Sequence, residues 1–357
     1  MIALDARGTA VHGQRGIGRV IRELVDAIAR LPQVARDDVI VVGDQQPNPA
    51  LSNRPMVART IGSILSPGNL LAYDVVLRLA PSAPELRPGA PRQLVCCYDL
   101  IQLKARREHF PLHRRIRYPS RWMSFQRSLE TIKRADSVWT ISRAVADDVH
   151  ALLGVGRDRL VPVPLAASST LAVPDAATCA GILQRLRLTE PYLLWLLGGP
   201  NENKNVRGMM RVMATGNVPS LVIVGVTAAW AQEKIGWLAR SVGAPPPRFL
   251  GFIPDAELGA VLHGAHAVVV PSKDEGFGLP IVEAFKCGAR VVANDIPVLR
   301  EVGGEAAVFA DINHPQAFAA ALRNHAVARP LPPIRTWDDV AQDVLRLARR
   351  LRDDVAG

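Results

Sequence analysis

Short apolar runs alternate with stretches whose apolar positions recur every three or four residues, and the alternation persists along most of the chain. In the first half the runs are Met1–Leu4, Val39–Val42, Leu94–Cys97 and Ser137–Thr140, with helical periodicity over Arg19–Arg30 and Ala144–Leu153. Runs this short with no polar alternation suit strands buried on both faces, so a mainly parallel sheet covered by helices is expected. The rhythm pauses between Pro162 and Pro191, where Val-Pro-Val-Pro-Leu-Ala-Ala-Ser-Ser reads as a linker. A second series follows: Tyr192–Leu197, Leu221–Val224, Arg248–Leu250, Ala267–Val270, Arg290–Ala293 and Ala307–Phe309, with helices such as Asp255–Leu262 and Pro280–Lys286 between them. Trp337–Arg352 closes the chain as one amphipathic helix. The fold expected is α/β: two doubly wound, Rossmann-like domains facing one another across a cleft. Their predicted spans are 1–165 and 166–335, and the helix in 336–357 is expected to pack back on the first.

Composition supports a packed enzyme. A chain of 357 residues suits two domains of ordinary size, and 48% hydrophobic with 21% charged residues are globular values. The first residues carry an acid at Asp5 and no long apolar core, so they read as neither a signal peptide nor a transit sequence. No window supplies about 18 uncharged apolar residues for a membrane span. Cys96, Cys97, Cys179 and Cys287 lack Cys-x-x-Cys spacing, and Cys96-Cys97 sits in an apolar run, so they read as buried fillers and the expected compartment is the cytoplasm.

Carboxyl ends of parallel strands are where such sheets bind ligands, which directs attention to glycine-rich turns after strands. Val268-Val-Val-Pro271 is a strand, Ser272–Gly278 a polar, glycine-rich turn, and Pro280 suits a helix start. Free N–H groups and a helix dipole there fit a phosphate or sugar hydroxyls. Glu275 in the turn and Glu283 in the first turn of the helix would face one pocket, each able to accept two hydrogen bonds from a vicinal diol. Read alone, the same residues also fit a solvated Glu275 and a Glu283 that complements the dipole.

The string Glu275-Gly-Phe-Gly-Leu-Pro-Ile-Val-Glu283 resembles the E-x7-E motif of the retaining family 4 glycosyltransferases, which have the GT-B fold. Leu197-Gly-Gly-Pro-Asn-Glu-Asn-Lys-Asn205 resembles that family's donor loop, with Asn203 where arginine is usual. The resemblance implies that Lys204 binds the donor diphosphate, with Gly199 and Asn205 beside it. It also places Glu275, Gly276, Phe277, Gly278, Leu279 and Glu283 at the nucleotide sugar. Arg248-Phe-Leu-Gly-Phe-Ile-Pro-Asp255 resembles the segment near the base, making Phe252 and Ile253 contact candidates, while Asp255 reads as a helix N-cap. In the first half, Gly16-Ile-Gly18-Arg19 resembles the family's first glycine loop, which implies donor contacts for Gly16 and Gly18. Tyr98-Asp99-Leu-Ile resembles a segment that often begins with histidine. Asp99 either serves the acceptor or caps the next turn, and Tyr98, Ser142 and Arg143 are expected on the acceptor side. The first domain would hold the acceptor and the second the donor.

No Asp-x-Asp occurs anywhere in the sequence, and the eight histidines show no ligand spacing, so neither a metal nor another cofactor is expected. The resemblance implies transfer of a hexose with retention, the donor leaning to GDP-mannose or a related GDP-sugar with UDP-sugars open. Implied acceptors are lipid-linked or saccharide, in a bacterial surface polysaccharide pathway. An epimerase or phosphorylase of related fold and a non-catalytic nucleotide-sugar-binding homologue are the alternatives.

The formal charge of +10 is concentrated: between Lys104 and Arg134 stand ten Lys and Arg against two acids. Arg114, Arg115, Arg117 and Arg121 interleave with Trp122 and other aromatics, a composition suited to an anionic membrane surface. A solvated face over core aromatics is the plain alternative, and the donor motif argues against nucleic acid. The expected location is therefore peripheral, at the inner face of the membrane.

Overall fold

A computed structural model describes residues 1–6, 16–35, 37–42, 73–79, 91–105, 118–324, 331 and 333–354. These fall into two compact units, Met1–Leu165 with Arg335–Gly357, and Ala166–Ile334. Each is built on a six-stranded sheet in which all pairings are parallel.

In the first unit the strands are β1 (Ile2–Asp5), β2 (Val39–Val42), β3 (Val75–Arg78), β4 (Arg92–Cys97), β5 (Ser137–Thr140) and β6 (Leu160–Pro162), in spatial order β2-β1-β3-β4-β5-β6. Two of them lie where the apolar pattern predicts none. β3 ends on the buried Arg78, whose charge breaks the apolar run after three residues. β6 ends on Pro162, which reads as a breaker but sits on the sheet's edge, where a missing N–H breaks no ladder. The helices are α1 (Ile17–Arg30), α2 (Ile101–Lys104), α3 (Pro119–Arg134) and α4 (Arg143–Leu153).

The expected linker holds a helix of its own, α5 (Ala176–Arg185), which Asp175 starts by accepting the Thr178 N–H at 3.0 Å. The second sheet comprises β7 (Tyr192–Leu196), β8 (Ser220–Val224), β9 (Arg248–Gly251), β10 (Ala267–Val270), β11 (Val291–Asn294) and β12 (Val308–Ala310). Its order is β12-β11-β10-β7-β8-β9. The chain winds outward from β7 to β9, then returns to the other side of β7 to lay down β10, so the strand order reverses between β7 and β10. Helices α6 (Val206–Ala214), α7 (Ala229–Ser241), α8 (Asp255–His263), α9 (Leu279–Lys286), α10 (Pro297–Gly303) and α11 (Pro315–Arg323) connect and cover the strands. One core layer sets Leu193 and Trp195 of β7 against Met209, Met210 and Met213 of α6, Ile235 and Leu238 of α7 and Phe318 of α11. Unbranched methionines fill irregular space between three helices and a twisted sheet.

The last helix, α12 (Trp337–Asp353), belongs to the first unit and lies against α1, β3 and β4. Its inward face is Trp337, Val340, Ala341, Val344, Leu345, Ala348 and Leu351, a helical repeat with no polar interruption. A capping box between Thr336 and Asp339 starts it. Ion pairs hold both ends: Arg30 to Asp338 at 2.6 Å, and Arg349 and Arg352 to Asp38, each at 2.7 Å. The hydrogen bond from Arg349 holds the Asp38 carboxyl below its ordinary range, with Arg352 adding to it. Its folded pKa therefore lies below the unfolded value of about 3.9. The contribution is complete above that pH and is lost as pH falls through the lowered value. Asp38→Asn is expected to cost about 1–2 kcal/mol at neutral pH. Urea unfolding at a series of pH values should show the gap between parent and variant closing in acid.

Candidate functional site

Reversal of strand order at β7 and β10 leaves two loops side by side at the carboxyl edge of the second sheet. Residues 197–205 follow β7 and residues 271–278 follow β10, and the turn chemistry of both brings them together. Lys273 N–H donates to the Asn203 carbonyl at 2.8 Å, and the Asn203 side chain donates to the Asp274 carbonyl at 3.2 Å. Asn205, 6% exposed, adopts φ 58°, ψ 46°, a left-handed conformation that asparagine tolerates. Its Nδ2 donates to the Pro271 carbonyl at 3.2 Å while its Oδ1 accepts the Gly208 N–H and caps α6. A side chain at Gly208 would strike that cap, since its Cβ would stand 2.5 Å from Oδ1.

Across this seam Lys204 Nζ meets Glu275 Oε1 at 2.6 Å, the two side chains 25% and 11% exposed. Ser272 Oγ donates to the same oxygen at 2.7 Å. Both bonds land on Oε1, and no described residue donates to Oε2. Lys204 commits one of its three N–H donors and keeps two for a ligand. Ser272 is in turn fixed from β11, where Asn294 Nδ2 donates to its carbonyl at 2.9 Å and Asn294 Oδ1 accepts the Ile312 N–H at 3.0 Å. Neither Ser272 nor Asn294 stands out in the sequence. A polar residue directly after a strand, and one ending an apolar strand, were the available signals.

Gly278 opens α9 at φ 97°, without a side chain to cap the helix, and a Cβ there would lie 2.8 Å from Leu299 Cδ2. The positive end of α9 therefore meets the turn uncapped, a setting that favours anions. Here the structure corrects the expected register. The helix begins at Leu279, Pro280 is its second residue, and Glu283 falls in the second turn, buried at 6% exposure. One turn on, burial pushes the Cys287 thiol up to about 11, and Glu283 adds to the shift. Gly276 and Phe277 are buried, whereas Gly198 is exposed and Gly199 half-buried, with open space where a Cβ would stand at either.

Other expected positions take varied places. Phe252 follows β9 and is 53% exposed, while Ile253 is buried at 3%. Asp255 is the first residue of α8 rather than its N-cap, which is Pro254. Its carboxylate accepts from Ser168 and Thr170 at 2.8 and 2.7 Å and ties down the preceding segment. His263 and His266 bond to the carbonyls of Cys287 and Leu322, and no group of residues suited to a metal occurs among the described residues.

In the first unit Gly16 is the exposed N-cap of α1 and Gly18 is buried in its first turn. Tyr98 is buried, 7% exposed, and desolvation pushes its hydroxyl well above the usual tyrosine range. Asp99 is exposed and accepts the Ile101 N–H at 3.1 Å from the position before Leu100, the N-cap of α2. Ser142 is fully buried and caps α4 through the Val145 N–H at 3.1 Å, while Arg143 is exposed. Of the basic segment, Arg114, Arg115, Arg117 and the Arg121 side chain lie outside the described residues. Trp122 is half-buried, its ring 5.9 Å from that of Phe125.

Comparison with known proteins places a family over the second unit. Residues 184–325 match the family model for "Glycosyl transferases group 1". The chain is 33% identical over 198 residues to the O-antigen chain mannosyltransferase B of Escherichia coli, covering 54% of this chain and 51% of that one. It is 36% identical over 195 residues to the O-antigen chain mannosyltransferase RfbU of Salmonella typhimurium, covering 54% and 52%. The chain spans about half the length of the curated relatives it matches. Among solved structures, Anabaena HepE in complex with UDP and glucose superposes with a TM-score of 0.64 at 14% identity, over 99% of this chain and 98% of that one. The fold is thus the GT-B architecture of two parallel sheets.

Asn205 is the joint of this site, which gives a graded expectation. Asn205→Ala loses the cap, the Pro271 bond and the left-handed preference, for about 2–3 kcal/mol in urea unfolding. Asn205→Gly keeps the backbone conformation and should be milder by about 1 kcal/mol. Equal losses would rule out the backbone argument.

Proposed function

We propose that this chain, whose residues 184–325 match the model of group 1 glycosyl transferases, transfers a hexose from a nucleotide sugar with retention of configuration. The reading takes mannose from GDP-mannose, or a related deoxyhexose, as the donor and a lipid-linked or saccharide acceptor in bacterial surface polysaccharide synthesis. The observation that carries it is the Lys204–Glu275 pair at the strand-order reversal. A cation and a carboxylate held together over an uncapped helix N-terminus match the two ends of a sugar diphosphate.

In this reading the diphosphate takes the two uncommitted N–H groups of Lys204 and the dipole of α9, which stabilise the charge of the leaving group. No metal is assigned. Glu275 uses Oε2 to accept from hydroxyls of the transferred sugar while Lys204 and Ser272 steady Oε1. Glu283 serves the nucleotide ribose, Phe252 and Ile253 the region of the base, and Gly16 and Gly18 the donor from the first unit. The acceptor attacks on the face from which the diphosphate leaves, and a donor phosphate oxygen takes its proton, so the protein chiefly positions the reactants. Tyr98, Asp99, Ser142 and Arg143 are the acceptor-side candidates.

Similarity to two O-antigen mannosyltransferases supports the mannose preference. UDP and glucose in HepE favour the second reading, a UDP-sugar donor on the same fold. Thermal-shift titration with GDP- and UDP-sugars separates them, because only a ligand of the folded state raises the midpoint with concentration.

Attachment to the inner face of a membrane through the basic segment completes the proposal. No helix among the described residues is long and apolar enough to cross a membrane. Tyr118 and Met123 at the start of α3 are 45% and 52% exposed. Neutralising Arg114, Arg115, Arg117 and Arg121 together is expected to weaken binding to phosphatidylglycerol vesicles by several hundred-fold, on the order of 1 kcal/mol per cation at low salt.

Glu275→Ala is expected to lower turnover by about 100-fold with donor affinity less affected. Glu283→Ala should chiefly weaken donor binding, by about tenfold. Steady-state kinetics with an acceptor panel, alongside calorimetry of donor binding, measures both. Full transfer activity in both variants would sink the assignment, and donor binding without any turnover in the parent would mark a non-catalytic homologue.

A further inference from the structure

Helix α7 carries two tryptophans that its own packing does not use. It buries Ala231, Ile235, Leu238 and Ala239 against the core, yet Trp230 and Trp237 are 64% and 57% exposed. Seven residues apart, they lie on one side of the helix, separated by about 10 Å along its axis. Their neighbours on the outer face are Glu233, Lys234, Arg240 and Ser241, all exposed and nearly balanced in charge. Trp230 stands in the first turn after β8, so the strip starts at the sheet edge that bears the Lys204–Glu275 pair and runs away from it.

The surroundings select among occupants. Two indoles bury about 150–250 Å² each, well short of the roughly 800 Å² per partner of a stable protein interface. A membrane-lying helix needs a continuous apolar stripe with a basic flank. Here Glu233, three residues from one tryptophan and four from the other, places a carboxylate beside both rings, against an anionic lipid surface. A sugar chain fits both features: its C–H faces stack on flat aromatic rings, and its hydroxyls bond to Glu233 and Lys234 between them and to Arg240 beyond Trp237.

We infer that the Trp230–Trp237 strip is a glycan-holding surface for an extended oligosaccharide, separate from the site of transfer. It rests on the proposed function only in naming the ligand as the growing acceptor or product chain. Because the rings stand about 10 Å apart, a chain long enough to reach both binds more tightly than a disaccharide that covers one.

The test uses the full chain, the Trp230→Ala/Trp237→Ala variant and a Trp230→Phe/Trp237→Phe variant. Calorimetry with a linear manno-oligosaccharide long enough to span both rings, and with mannobiose, should show length-dependent binding by the parent. The alanine variant should lose at least about tenfold in affinity for the long chain, with the phenylalanine variant between, while transfer to a short mannoside acceptor is unchanged. Equal binding by parent and alanine variant overturns the inference. So does a loss confined to sedimentation with phosphatidylglycerol vesicles, or to self-association in ultracentrifugation. If the parent transfers no sugar but shows the tryptophan-dependent binding, the transferase reading fails and the glycan surface stands. Normal transfer without that binding removes the surface alone.

Discussion

Where a parallel sheet reverses its winding, two neighbouring strands send their chains to opposite sides and leave the polar backbone of both following loops without a ladder to continue. In the second unit this happens between β7 and β10, and the unpaired groups are met by side chains: Asn203 to Asp274, Asn205 to Pro271, and Asn294 to Ser272. Buried backbone groups must find partners, and three asparagines, each a donor and an acceptor at once, satisfy them with little bulk. The Lys204–Glu275 pair spans the same seam.

The same seam accounts for a departure that the sequence leaves open. Asn203 stands where the family resemblance leads one to expect arginine, which removes one positive charge. In the structure Asn203 is a stitch between the loops, through its carbonyl as well as its amide. The charge at the edge comes from Lys204, drawn partly out of water and held by Glu275, so it is aimed before any anion arrives. Preorganisation of this kind spares a ligand the cost of ordering a long lysine side chain.

The first unit follows a different economy. Its expected polar candidates take part in local structure: Ser142 caps a helix, Asp99 accepts the first N–H of the next one, and Tyr98 is buried. Its sheet is covered in part by α12, which comes from the far end of the chain and is pinned by Asp38. The unit is thus closed by a helix separated in sequence by the whole of its neighbour.

What the chain itself determined is local. Every strand of the second sheet, the helical stripes of α1, α4 and α12, and the E-x7-E string could be read directly, because burial on both faces and a 3.6-residue period write themselves into consecutive residues. β3, β6 and α5 were hidden, since an arginine within the run, a terminal proline and a Pro-rich approach interrupt the apolar pattern. Tertiary structure alone decided that Lys204 and Glu275, 71 residues apart, touch. It also decided that Asn203 serves the backbone, that Tyr98 is buried and that Trp230 and Trp237 are exposed. Such outcomes depend on which loops and faces meet when strands far apart in sequence become neighbours, and no spacing along the chain encodes that meeting.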